Sequence, residues 1–305
     1  MWSHVPRYSS LLTIVPIAVR IQPFSVLPRL LIVWSLWLPA FIHNDNVTTM
    51  GNKNRKQPAE KNGAGRPAAG VLTAAPQRPN WPAFKPKLPV IPLVLDSPVP
   101  AFQDQILVIR GFWPKSLCRD FVAFLDRLPL TTTPGQPRRG DALRVNDRFQ
   151  IEDPSFAQRL WLQTGLKELI TKRSVQHLWG GEVIGLNPNI RVYRYSQGQF
   201  FDCHYDDSNM VDVPSADGSG NIRAKTTFTA LLYLTSTAEG CLGGETVFHP
   251  HDRKLAQEEI AIPPETGMLL LHKHGEDCLL HEGREVLNGN KWVIRTDLCI
   301  HRQTV

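Results

Sequence analysis

The chain has 305 residues, 42% of them apolar and 20% charged, with a formal net charge of +6, so it is long enough to bury a substantial core and too apolar to be disordered throughout. The charge is uneven: residues 1–95 hold eleven Lys or Arg against Asp45 and Glu60, a net +9 that leaves −3 for residues 96–305. The basic balance therefore gives no ground for nucleic-acid binding by the globular part. Cys118, Cys203, Cys241, Cys278 and Cys299 are an odd number at wide spacings with no CxxC pair, which argues against a disulfide framework and a structural zinc site and fits a reducing compartment.

Residues 1–49 form an apolar leader with three arginines, and their first acid is Asp45. Its uncharged run, 30–42, is shorter than the ~20 residues of a membrane span, and Pro16, Pro23, Pro28 and Pro39 spoil an amphipathic presequence helix. Three readings stand: an extension ahead of a start at Met50, with a cytoplasmic or nuclear protein; a mitochondrial leader; and a membrane-associated segment over 11–42. Residues 50–95 are rich in Pro, Gly, Ala and basic residues, and fifteen of the 25 prolines lie at or before residue 100, the composition of a disordered linker.

From residue 96 the pattern is globular. Residues 105–109 read as a short strand, and 114–128 as an amphipathic helix with Leu117, Phe121, Phe124 and Leu128 on one face. Asp153 caps a second helix with Pro154 at its first position, running toward Ile170, and 144–150 is partly strand-like. Strands are predicted over 189–195, 200–205, 226–235, 245–248, 267–272, 278–281 and 291–299, separated by Gly and Pro clusters. Helices followed by strands argue for an α+β domain over 96–305, with helices backing one side of a β-sandwich. The gap at 207–225 reads as a lid or a surface excursion.

Within 200–206, His204 and Asp206 stand two apart, so an extended chain offers an imidazole and a carboxylate to one point in space. Cys203, between strand neighbours, points to the other face and reads as a packed small hydrophobe. Two histidines and one carboxylate on one face of a metal leave positions open for a cosubstrate and oxygen. Six histidines follow: His249, His251, His272, His274, His281 and His301. A chelating 2-oxo acid needs a cation for its far carboxylate at fixed reach from the ligand histidine. His281 meets Lys291 ten residues on, across Asn288-Gly289-Asn290; His274 meets Arg284 and is the runner-up; the others meet no cation at that spacing, and all five besides His281 read as surface or loop histidines.

The blocks YRYSQGQFFDCHYD (193–206), TALLYLT (229–235), GGETVF (243–248), PPETGMLLL (263–271) and HEGREVLNGNKWVIRTD (281–297) together resemble the prolyl 4-hydroxylase-like branch of the iron(II) and 2-oxoglutarate-dependent dioxygenases, over about 101–299. The resemblance implies a double-stranded β-helix, a jelly roll of two facing sheets. It also implies iron(II) held by His204, Asp206 and His281, the 2-oxoglutarate 5-carboxylate on Lys291, and a hydrogen bond from Tyr195. Ascorbate use is implied in the same way. Arg295, four residues beyond Lys291 on the same strand face, is a second carboxylate partner. Gly243 and Gly244 read as a tight bend. A two-residue hairpin at Asn288-Gly289 would turn Lys291 away from His281, so this turn is expected to be a corner between sheets.

The activity so implied is hydroxylation of a C–H bond, on a peptide or protein substrate with a prolyl-like residue, consuming molecular oxygen and releasing succinate and CO2. A small-molecule hydroxylase of the same chemistry and a non-catalytic jelly-roll metal-binding module are the alternatives, because fold and ligands do not fix the substrate.

Overall fold

The computed structural model describes residues 78–301, apart from 134, 136, 138–141, 216 and 217. The readings for residues 1–49 and for the linker up to residue 77 lie outside the described residues. Residues 78–95, assigned to that linker by composition, lie against the helices as a strap. The Trp81 indole stacks on Phe156 at 4.1 Å and donates to Asp153 Oδ2 at 2.8 Å, and Arg159 donates to the Pro82 carbonyl at 2.7 Å. Aromatic residues among the prolines anchor the strap, a stacked pair contributing ~0.5–1.5 kcal/mol beyond its area. Among the described residues no helix is long and apolar enough to cross a membrane.

In chain order the elements begin with β1 (Ile106–Ile109), α1 (Lys115–Leu125), β2 (Thr131–Thr132), β3 (Arg144–Val145) and β4 (Asp147–Glu152). Next come α2 (Pro154–Gln163), α3 (Leu166–Ile170), β5 (Val183–Leu186), β6 (Asn189–Ser196), β7 (Phe200–His204), β8 (Met210–Pro214) and β9 (Asn221–Tyr233). The chain closes with β10 (Leu242–Gly243), β11 (Thr246–His249), β12 (Ile260–Ile262), β13 (Leu269–Lys273), β14 (Leu280–Gly283), β15 (Val286–Asn288) and β16 (Asn290–His301). The fold is a jelly roll. A large antiparallel sheet runs β1-β13-β9-β16-β6-β4-β2, with β5 on β16 and β8 on β9, and a smaller one runs β12-β11-β14-β7-β3.

The central strands of the large sheet are apolar on both faces because both are covered. Leu107, Ile109, Val192, Phe228, Leu232, Trp292 and Ile294 join the helix residues Leu117, Phe121, Phe156 and Leu160 in one core. Their neighbours Ile106, Val108, Tyr193, Tyr195, Tyr233 and Val293 turn the other way and meet Phe248 and Ile262 of the small sheet in a second core. This two-residue period faces Lys291 and Arg295 into the space between the sheets, along with Thr229 and His272.

The structure corrects two sequence expectations here. The helix from Asp153 does not run unbroken to Ile170: it stops at Gln163 and restarts at Leu166, because Gly165 sits at φ +79° and a Cβ there would meet Pro89 at 3.0 Å. The gap at 207–225 is largely a hairpin, β8 pairing with the first half of β9 from Met210↔Lys225 to Pro214↔Asn221. Its alternation, Val211 and Val213 opposite Ala224 and Ile222, is diluted by polar outward residues and so looks like loop in sequence.

Candidate metal centre

His204 closes β7, and its Cα partner across the sheet is His281 on β14. The two imidazoles of the small sheet are thus set side by side, 4.2 Å between ring centroids. Asp206 lies just beyond the strand end, its carbonyl accepting from Gly275 N–H at 2.8 Å and its own N–H donated to Cys278 Sγ at 3.3 Å. Its carboxylate then stands 3.8 Å from His204 Nε2 and 3.7 Å from His281 Nε2. One ligand atom from each of the three lies within 4.8 Å of the others.

The donor chemistry fits a cation. His204 Nδ1 sits 2.8 Å from the Asp202 carbonyl and His281 Nδ1 2.9 Å from the Leu279 carbonyl, so each Nδ1 carries the proton and each Nε2 turns a lone pair toward the carboxylate. Without positive charge between them those groups repel, and separations of 3.7–3.8 Å are within the span of two ~2.1 Å metal–ligand bonds. A proton does part of that work in the free protein. Burial pushes His281 down, but Asp206 and Cys278 outweigh it and lift the imidazole to about 9. Burial, with His281 next to it, pushes His204 down to about 3.

Burial alone would raise the Asp206 carboxyl, yet the Arg295 guanidinium and His281 hold it well below the usual carboxylate range. Arg295 donates to Asp206 Oδ1 at 3.0 Å, to Thr229 Oγ1 at 3.2 Å and to Asp297 Oδ1 at 3.4 Å, and Thr229 Oγ1 donates to Asp206 Oδ2 at 2.8 Å. Its guanidinium is thereby committed to the carboxylate of the triad. Lys291 is different. It is buried, its ammonium lies 5.5 Å from the Tyr195 ring and 5.4 Å from the Tyr233 ring, and among the described residues no carboxylate comes within 4.0 Å of it. Burial lowers it to about 8. Gly244, at φ +71°, lets the chain pass close to its stem: a Cβ there would meet Lys291 Cδ at 3.1 Å. Tyr195 is buried beside it, its hydroxyl pushed up chiefly by that burial.

All six predicted site residues, Tyr195, His204, Asp206, His281, Lys291 and Arg295, line one cavity of about 50 Å³ between the sheets. Lys291 and His281 belong to opposite sheets, and the Asn288-Gly289 turn is a corner that leads into the large sheet from β15, which pairs with β10 as a separate two-stranded sheet. Larger grooves of 660, 550 and 440 Å³ lie at the helices and at β5, and the one histidine that lines any of these three is His177. Sequence reading missed Thr229 and misplaced two histidines: His249 and His272 are buried strand residues, while His274 lies in a loop as read, though buried. The missed signal was period two, since Leu270 and His272 share a strand face, as do Val247 and His249. Cys203 does face away from the cavity, but toward Glu282 at 3.8 Å instead of apolar neighbours.

Residues 190–296 match the 2OG-Fe(II) oxygenase superfamily, the segment that contains all six of these residues. The match supports the resemblance read from the motifs and, with it, the general oxygenase reaction using iron(II) and 2-oxoglutarate. Solved structures similar to the chain include a viral collagen prolyl hydroxylase from Paramecium Bursaria Chlorella virus-1 in complex with 2-oxoglutarate, 18% identical, covering 64% of this chain and 96% of that one with a TM-score of 0.39. A prolyl-4-hydroxylase from Pseudomonas putida is 19% identical, with 65% and 93% coverage and a TM-score of 0.44. HygX from Streptomyces hygroscopicus, with nickel and 2-oxoglutarate bound, is 16% identical, with 66% and 85% coverage and a TM-score of 0.42. No curated protein matches the chain.

Proposed function

We propose that the chain is an iron(II)- and 2-oxoglutarate-dependent dioxygenase that hydroxylates a C–H bond of a peptidyl, prolyl-like substrate. One observation carries the reading: two imidazole Nε2 atoms and a carboxylate converge in a cavity that also holds a buried lysine without a carboxylate partner among the described residues. His204, Asp206 and His281 would hold the metal, and Lys291 would receive the far carboxylate of 2-oxoglutarate, with the Tyr195 hydroxyl beside it. Bound there, iron(II) with 2-oxoglutarate and oxygen supplies the oxidation, releasing succinate and CO2. Arg295 and Thr229 fix the Asp206 carboxylate, and the two covered sheets keep water from the reacting groups. The peptidyl substrate and ascorbate as reductant rest on the resemblance.

The pH dependence follows from Lys291, whose ordinary value of 10.5 falls to about 8. Below about pH 8 the ammonium is charged and cosubstrate affinity is flat. Above it, binding must take up a proton, and affinity falls about tenfold per pH unit. The test is 2-oxoglutarate-dependent succinate release by the iron-loaded protein, with KM followed across pH: no release sinks the activity, and a KM that stays flat at alkaline pH takes the role away from Lys291. Mass spectrometry of lysate peptides incubated with the enzyme tests the substrate class, and absence of hydroxylated prolyl-like residues contradicts it.

A further inference from the structure

Among the described residues six arginines lie in strands, and four of them are paired with carboxylates: Arg191 and Arg295 with Asp297, Arg194 with Asp126 and Asp147, and Arg223 with Asp212. The two exceptions are Arg144 on β3 and Arg148 on β4. Both are half-buried. Arg148 donates to the Gln150 side-chain carbonyl beside it, and the Arg144 guanidinium stands 4.8 Å from the Phe201 ring and 5.7 Å from the Tyr193 ring. Neither has a carboxylate partner among the described residues, so two planar, permanently charged forks are left without the anion that suits them.

Their placement joins them to the cavity. β3 is the edge strand of the small sheet, and there Arg144 is the Cα partner of Phe201. At Asn146 the chain crosses to the large sheet, where Arg148 stands opposite Tyr193 and Tyr193 opposite Val293; directly opposed residues share a sheet face. Phe201, Tyr193 and Val293 all line the cavity. The two cations therefore flank one edge of it, one on each sheet, with exposed Gln150 beside them. Residues 96–305 carry −3 overall, so this edge is a local positive site and not a share of a general basic charge.

We propose that Arg144 and Arg148 determine specificity by taking an acidic residue of the peptidyl substrate, adjacent to the residue presented to the metal centre. The setting rests on the peptidyl reading above; the preference for a carboxylate does not depend on the reaction. The probes are fluorescently labelled peptides with a central proline flanked by glutamates, or by glutamines in their place, titrated at low salt into the metal-free full chain. The glutamate peptide is expected to bind about tenfold tighter or more. That preference should vanish when Arg144→Gln and Arg148→Gln are combined and persist in Arg223→Gln, whose partner Asp212 does not line the cavity. Equal binding of the two peptides by the wild-type chain, or a preference that survives in the double variant, overturns the proposal. Because binding is read without iron, 2-oxoglutarate or oxygen, the preference in a chain that makes no succinate upholds this site and counts against the oxygenase reading alone, while succinate release without the preference does the reverse.

Discussion

Asp206→Ala is expected to abolish iron retention and with it succinate formation. The loss is not confined to a ligand. Asp206 carries Arg295 and Thr229 on its two oxygens, at 3.0 and 2.8 Å, and its removal leaves a buried guanidinium with Asp297 as its remaining carboxylate at 3.4 Å. Breaking a buried pair from one side costs about 3–5 kcal/mol, and Asp297 places this case at the lower end. His204→Ala removes a donor without touching that pair. Both variants should lose the metal, measured by iron content after gel filtration, and only Asp206→Ala should lose a large part of the metal-free protein's thermal stability. Equal stability losses would contradict the assignment of Arg295 as the partner of Asp206.

Lys291→Met separates function from stability in the opposite sense. Truncating one partner of a buried charge pair costs about 2–5 kcal/mol, roughly 30- to 4,000-fold in cosubstrate affinity. In the free protein, however, the ammonium is buried against two tyrosine rings without a carboxylate partner among the described residues, and burial lowers it from 10.5 to about 8. Each unit of such lowering is a penalty of about 1.4 kcal/mol on the charged form. Sign follows directly: the folded chain binds fewer protons than the unfolded one between pH 8 and 10.5, so this residue costs most below pH 8 and the cost fades as pH rises. An apolar isostere should therefore stabilise the metal-free protein at neutral pH by about 1–3 kcal/mol, measured by urea unfolding, while 2-oxoglutarate binding collapses in titration calorimetry. Unchanged affinity would move the carboxylate role to Arg295.

The ligand pair at the end of β7 was legible because strand alternation is local: His204 and Asp206 need only an extended chain to converge. The distal half was legible through spacing, ten residues from His281 to Lys291, but its geometry depends on a corner between sheets that no local pattern displays. Arg295 was visible as a cation on the right strand face, and its bond to Asp206 was not, because β16 and the end of β7 are brought together only by the facing of two sheets. Thr229, His249 and His272 were passed over for a different reason. Each sits buried in an apolar run, Thr229 and His272 facing the cavity and His249 on the strand face opposite Phe248, and a polar residue in such a run looks like a strand end until its neighbours' period is followed through it. The hairpin of β8 and β9 was hidden by the opposite effect, polar residues filling its outward positions.

The central claim is that iron(II) and 2-oxoglutarate meet in the cavity between the sheets, on His204, Asp206 and His281 with Lys291 opposite. It is tested most directly by adding iron(II) and then 2-oxoglutarate to the full chain without oxygen and recording the visible spectrum. A weak metal-to-ligand charge-transfer band that requires both additions, is lost in His281→Ala and needs far more 2-oxoglutarate in Lys291→Met, is the expected result. A folded chain that binds iron(II) and shows no such band at saturating 2-oxoglutarate would contradict it.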